Sequence, residues 1–340
     1  WDGIARRQVE AAESRRRRQS GAALEIADAI ADPDEALRGL DLGVELDRHQ
    51  REAAAAIAAP SATGLALFDE QGTGKTISAL AGFAILRRRG QVQRALIVTP
   101  KSVVGTWTTD AKRVLGHDAR VELASGDARR RRRAIRSRHD VLIANYEAVV
   151  AEVGTFSLVL GAAPDRYLLI IDESFFAKNA KTRRSEALWE LRQRCRRAVV
   201  LCGTPAPNRP WDIVNQVNLA DGGIAFGGVV QPRDPELSRE RVGVGLANAL
   251  YLRRLKAEVL LDLPEQQFVE LRVPMQPLQR ALYESAAQEL MLDVRSVTDE
   301  AFRRDLSRYT ARRAALLQLC SHPGALDPMY RETPAKLLAL

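Results

Sequence analysis

The sequence predicts an α/β protein, a doubly wound and mostly parallel sheet with helical N-terminal and C-terminal extensions. Three observations predict it. Six short apolar runs recur between about residues 64 and 219: "GLALFD", "RALIVTP", "RVELAS", "DVLIANY", "YLLIIDE" and "RAVVLCGTP". They are rich in Val, Ile and Leu and apolar throughout, as strands buried on both faces are. Stretches of helical character separate them, which is what crossovers between parallel strands need.

The elements follow in order. Residues 1–44 read as a helical extension, with charged runs "ESRRRRQS" and "ADPDEALRGL" and no strand signal. Residues 45–220 hold the six strands. Ligands of such sheets bind at the carboxyl ends of the strands, so the polar residue after each apolar run is the one to inspect. Residues 220–238, rich in Gly and Pro, read as a loop. Beyond it "GLANALYLRRLKAEVLLDLP" and "PLQRALYESAAQELM" read as helical, with one strand, "QFVELRVP", between them, and residues 297–320 read as helical again. The stretch 221–330 is expected to form a linker or helical protrusion.

At 340 residues the chain can hold one large or two ordinary domains. Trp1 at its start and the absence of a leader pattern suggest a piece of a longer protein. The net charge of +8, carried mostly by Arg, favours an anionic partner, nucleic acid first. Codon bias in a high-GC organism, a bacterium for instance, explains the same composition. No apolar run approaches the ~18 residues of a membrane span, so a cytoplasmic protein without a membrane partner is expected. Cys195, Cys202 and Cys320 are too few and scattered for a disulfide framework and read as small buried residues in a reducing compartment. His49, His117, His139 and His322 show no metal-ligand spacing.

The chemistry concentrates in "LFDEQGTGKTIS" (residues 67–78). A strand, a glycine-containing turn and a helix give the context of a phosphate-binding loop. Gly72 and Gly74 permit the backbone turn that aims successive N–H groups at a phosphate, and the helix N-terminus adds its dipole. Lys75 would reach the β- and γ-phosphates, and Thr76 would bind Mg²⁺. The strict pattern asks for glycine at position 69, where this chain has Asp69. "YLLIIDES" supplies a second requirement, acidic residues at the end of a buried strand. Asp172 would hold Mg²⁺ and Glu173 would polarise the attacking water.

"DEQGTGKT", "LIVTPKSVVGTW", "LIIDESFFAKN", "VLCGTPAPNRPWDI", "YLRRLKAEVLLDLP" and "QLCSHP" together resemble, in order, the motifs of Swi/Snf-type ATP-dependent DNA translocases of helicase superfamily two. "DES" and "GTPAPNRP" resemble the annealing-helicase-like branch. The resemblance covers about residues 45–325 and implies a RecA-like P-loop NTPase lobe with ATP and Mg²⁺ as cofactors. In this family the loop begins Asp–Glu, so Asp69 is expected. The loop that cradles ATP would be Asp69, Glu70, Gln71, Gly72, Thr73, Gly74, Lys75 and Thr76, with Gln50 upstream reading the adenine. Lys75, Asp172 and Glu173 would be catalytic.

The resemblance further implies DNA-backbone contacts at Thr99, Pro100 and Lys101 and at Asn145 and Tyr146. Gly203, Thr204 and Pro205 would link nucleotide state to DNA grip, and Arg253, Arg254 and Lys256 would lie on a basic helix flanking the hinge. Residues 331–340, "TPAKLLAL" among them, resemble the opening of a second RecA-like lobe. Implied partners are duplex DNA, that second lobe and further proteins of a larger complex. Phe175 departs from the pattern: the family commonly has His there, and Phe cannot make its hydrogen bonds. Two arginine clusters, Arg15–Arg18 and Arg129–Arg133 with Arg136 and Arg138, are either solvated surface or nucleic-acid contacts. Alternatives are a non-enzymatic nucleic-acid-binding scaffold with a decayed motor, a restriction translocase, an RNA helicase, or an unrelated P-loop NTPase.

Overall fold

The computed structural model describes residues 19–163, 166–260 and 269–340. The Arg15–Arg18 cluster and the first part of the helical extension lie outside the described residues. The described chain falls into two units, divided between residues 263 and 264.

In the first unit all six expected strands form: β1 Gly64–Leu67, β2 Arg94–Thr99, β3 Val121–Ala124, β4 Val141–Asn145, β5 Tyr167–Ile171 and β6 Arg197–Leu201. A seventh, β7 Tyr251–Leu252, completes one sheet of order β3-β4-β2-β5-β6-β1-β7. Every pairing is parallel. Alternate residues of each strand face opposite sides, and both sides are covered. Ala66, Leu96, Leu169 and Val200 enter one apolar core, while Leu65, Ile97, Ile170 and Val199 enter the other. That is why the runs read as continuously apolar.

Helices α1 Arg48–Ile57, α2 Lys75–Arg88 and α3 Val104–Leu115 pack on the second core. Helices α4 Ala128–Arg136, α5 Tyr146–Gly161, α6 Arg183–Arg192 and α7 Val214–Asp221 contribute to the first. Side-chain caps fix several starts: Asp127 accepts from Arg130 N, Asn145 from Ala148 N and Thr182 from Ser185 N.

Two expectations are corrected. The segment "GLANALYLRRLKAEVLLDLP" is not one helix. Helix α8 Pro235–Ala247 ends within it, and the chain then runs extended through β7. Ala66 N donates to Leu250 O (3.0 Å) and Phe68 N to Leu252 O (2.8 Å). The outer side of β1 is buried, so its N–H groups need a partner, and that need overrides helical propensity. Arg253 and Arg254 therefore follow a strand rather than lie on a basic helix, and helix resumes at Lys256–Val259. The strand expected in "QFVELRVP" does not form over its described part, residues 269–274, where Val269 and Leu271 are exposed and no strand lies alongside. Gln267 and Phe268 lie outside the described residues.

The second unit, by itself, is helical. Helices α9 Pro277–Ser296 and α10 Leu306–Ser321 are joined through buried Gln279. Its Nε2 donates to Leu319 O (2.8 Å) and its Oε1 accepts from Ala335 N (3.1 Å).

The second arginine cluster occupies α4, with Arg138 just beyond its end. Arg131 and Arg132 pair with Glu152 (3.1 and 2.7 Å), a buried residue at the kink of α5. Arg129, Arg130, Arg133, Arg136 and Arg138 are exposed. Hydrogen bonds from Arg132, and then from Arg131, hold the Glu152 carboxyl below its ordinary value. A depressed folded-state pKa contributes stability that is complete above the unfolded value, near ~4.3, and is lost as pH falls through the folded one. Thermal denaturation from neutral pH down to about pH 3 should therefore lower Tm more in the wild type than in Glu152→Gln. Parallel Tm profiles would remove Glu152 from the acid limb.

Candidate functional site

The order β5-β6-β1-β7 sets the carboxyl ends of four strands side by side. At β1 the chain turns through Asp69–Gly74 into α2, whose first residues are Lys75 and Thr76. Gly72 and Gly74 take positive φ angles of 84° and 78°. A Cβ on Gly74 would collide with the Gln50 amide, so glycine is required there on two counts. Gln50, near the start of α1, accepts from Asp47 N (3.1 Å) and reaches Thr73 O with Nε2 (3.4 Å). His49 Nε2 lies 2.7 Å from the same carbonyl. The Lys75 ammonium donates to Asp69 O (2.8 Å) and Glu70 O (2.9 Å). Burial lowers its pKa, opposed by the nearby carboxylates, Glu173 first.

At the end of β5 stand Asp172 and Glu173. Asp172 Oδ2 accepts from Thr99 Oγ1 (2.9 Å) and from Trp107 Nε1 (2.7 Å), and its Oδ1 accepts from Glu173 N (2.9 Å). Tyr146 donates its hydroxyl to Asp172 O (2.6 Å). Thr99 and Tyr146 are thus buried and turned onto the acidic pair, while Lys101 stands exposed at the end of β2. Asn145 caps α5 with its side chain.

Glu173 has φ 47° and ψ 52° and is the one non-glycine residue among those described with positive φ. Such strain persists only where surrounding contacts hold it, and here it aims the carboxylate back at the P-loop. Gln71 Nε2 lies 3.4 Å from Glu173 Oε1. Glu173 Oε2 is buried without a partner among the described residues. Burial, and then the Asp172 charge, raise the Glu173 pKa.

Gly203, after β6, abuts the P-loop: a Cβ there would lie 2.5 Å from Gln71 Cγ. Thr204 is exposed beside it. The third side is closed from β7. Arg254 reaches Asp69 (2.5 Å), Glu52 (3.0 Å) and His49 O (2.8 Å), and Lys256 N donates to Glu70 Oε2 (2.8 Å). Arg253 donates to Gly203 O (2.8 Å) and to Phe68 O.

The structure therefore gathers Gln50, Asp69–Thr76, Asp172, Glu173 and Gly203. It adds Trp107, to which sequence reasoning gave no role, and Arg254, which the resemblance implied on a basic helix and which instead reaches the phosphate loop. Trp107 meets Asp172 across 65 positions, and Arg254 is separated from Asp69 by 185. The residues fit a nucleoside triphosphate with a divalent cation: a glycine turn at a helix N-terminus, a lysine, a fixed aspartate and a carboxylate oxygen with no internal partner.

A parallel sheet with a P-loop at one strand end and an acidic pair two strands away is the RecA-like lobe of a P-loop NTPase. The model of the SNF2-related domain family matches residues 15–227, and the chain belongs to that family of ATP-dependent helicase and translocase motor domains. YwqA of Bacillus subtilis is 28% identical over 293 residues, 82% of this chain and 30% of YwqA. The DNA repair and recombination protein RAD54B of Gallus gallus is 25% identical over 293 residues, 79% of this chain and 31% of that protein. The chain thus spans about a third of these relatives. The Sulfolobus solfataricus SWI2/SNF2 ATPase core, solved in complex with dsDNA, matches with a TM-score of 0.55 at 20% identity. The match covers 89% of this chain and 64% of that one, and supports the fold. No helix among the described residues is long and apolar enough to cross a membrane.

Proposed function

We propose that this domain binds ATP with Mg²⁺ and, within the whole protein, hydrolyses it to drive movement on duplex DNA. One observation carries the reading. Lys75 and Glu173 converge on one cleft, with Asp172 fixed by Thr99 and Trp107 and Glu173 held in a strained backbone conformation. Gly72, Gly74 and the α2 N-terminus would receive the phosphates, Lys75 would reach the terminal ones, and Gln50 would meet the base. Thr76 and Asp172 would hold Mg²⁺, which neutralises charge on the phosphates. Glu173, its basicity raised by burial, orients the attacking water and accepts its proton.

Exposed Lys101, with Pro100, would meet the DNA backbone at the strand ends. A second lobe of the same protein would supply the facing half of the site, as single-lobe sites of this kind lack the arginine that stabilises transferring charge. Residues 45–220 would form the first lobe and 221–330 the connection, with the protein acting in the cell interior where DNA is. Displacement of a third strand from triplex DNA by the full-length protein tests movement on duplex. ATP-dependent displacement is expected. Displacement that requires a single-stranded tail would indicate a strand-separating helicase instead.

A further inference from the structure

The chain beyond β7 stays bound to the phosphate loop after the strand itself has ended. Arg254 N donates to Asp69 Oδ1 (3.0 Å), Glu70 N donates to Arg254 O (2.9 Å), and Lys256 N donates to Glu70 Oε2 (2.8 Å). Leu255 N donates to Glu258 Oε2 (2.8 Å), which starts the short helix at Lys256. The place of Lys256 beside the loop is therefore fixed by backbone hydrogen bonds that leave its side chain uncommitted.

That side chain turns onto the loop. Its Cε and Nζ lie 2.8 and 3.0 Å from where a Cβ on Gly72 would stand, so it occupies the room the glycine leaves. Lys256 is half-buried, and among the described residues its ammonium has neither an ion pair nor a hydrogen-bond acceptor. The neighbouring carboxylates are engaged elsewhere, Asp69 by Arg254 and Glu70 by the Lys256 backbone. Lys75 and the N-terminus of α2 add further positive charge around the same short loop. A half-buried ammonium without a partner, set among like charges, is a place for an anion.

The side from which it approaches is also defined. Strand β1 lies between β6 and β7. Gln71 abuts Gly203 after β6 and approaches Glu173, so the reacting end of a bound triphosphate faces that side. Lys256 arrives from the β7 side, toward the phosphates that remain once the terminal one has left.

We propose that Lys256 is a nucleotide-binding residue, whose ammonium closes the phosphate loop from the β7 side and grips the α- and β-phosphates that ATP and ADP share. The inference rests on the ATP site proposed above. A contact made equally in substrate, transition state and product lowers KM without raising kcat. Lys256 thus sets nucleotide affinity, while Lys75 and Glu173 serve the chemistry.

The test compares full-length wild type with Lys256→Met, Lys256→Gln and Lys256→Arg. Met and Gln keep a stem over Gly72 and the backbone bond to Glu70 but remove the charge, and Arg retains it. Fluorescence titration with labelled ATP and labelled ADP gives the affinities. Steady-state hydrolysis with saturating duplex DNA gives KM and kcat, with Tm followed alongside. Lys256→Met and Lys256→Gln are expected to weaken both nucleotides by the same factor, ~5- to 30-fold. KM should rise to match, with kcat within about 2-fold of wild type. Lys256→Arg should recover most of the loss, and the gap between wild type and Lys256→Met should narrow as salt is raised. If Lys256→Met does not fold, Lys256→Gln carries the readout. Unchanged affinity in the folded variants overturns the contact and leaves the lysine as cover for Gly72. Tighter binding overturns it as well, since the ammonium then shields an empty loop. A fall in kcat at unchanged KM contradicts the assignment by moving the ammonium to the transferring phosphate. A wild type that binds neither nucleotide overturns the ATP reading, and this inference with it.

Discussion

Replacing Glu173 with Gln is expected to lower ATP hydrolysis by ~10²–10⁴-fold in the full-length protein while leaving nucleotide and DNA binding intact, since it removes a general base and little else. The amide keeps the shape of the side chain and its contact with Gln71, at 3.4 Å in the native protein. Lys75→Ala should abolish hydrolysis by another route, through loss of triphosphate binding, and fluorescence titration with a labelled nucleotide separates the two. The pH profile gives a further check. Burial and the Asp172 charge raise the Glu173 pKa, so its base form is lost as pH falls through a value higher than that of an ordinary Glu. The acid limb of the rate profile should be present in wild type and absent from the residual activity of Glu173→Gln. A Glu173→Gln enzyme within a few fold of wild type would remove Glu173 from catalysis.

Arg254→Ala is expected to cost ~3–5 kcal/mol of stability, because it leaves a buried carboxylate without its partner. The Asp69 side chain is only 2% exposed, and Arg254 gives it a short ion pair while also reaching Glu52 and His49 O. For a unit of this size that is a Tm lower by roughly 6–20 °C. Asp69→Gly, which creates the strict G-x-x-x-x-G-K-T pattern, should also destabilise the domain, because Arg254 then lacks its main acceptor. A variant Asp69→Gly as stable as wild type would show that the pair is dispensable. The effect reaches function as well as stability. Arg254 follows the strand beside β1, and Lys256 N holds the Glu70 side chain, so this segment frames the opening of the phosphate loop.

Much of this was legible in the sequence, for identifiable reasons. The six strands announce themselves because a sheet buried on both faces needs continuous apolar runs, and the P-loop because glycine, lysine and threonine each have a separate physical task. Asp172 and Glu173 stand out as charges at the end of such a run. What stayed hidden depends on contacts distant in sequence. The two-residue strand β7 carries no periodicity, and the arginines after it read as helix until the edge of β1 is seen to need a partner. Thr99 and Tyr146 sit at strand ends that suggest an outward role, yet both bond inward to Asp172 or its carbonyl. Trp107 looks like an ordinary helix residue, and only the fold brings it to Asp172. Asp69 joins both lists: its place in the motif is readable, but its physical reason, Arg254, is not.

The account stands or falls on whether this cleft hydrolyses ATP under the control of DNA. The direct measurement is steady-state ATP hydrolysis by the full-length protein with no nucleic acid, with single-stranded DNA and with duplex DNA, beside Glu173→Gln. The predicted result is turnover stimulated most by duplex and lost in the variant. Nucleotide binding without hydrolysis under all three conditions would contradict it and identify a nucleic-acid-binding scaffold.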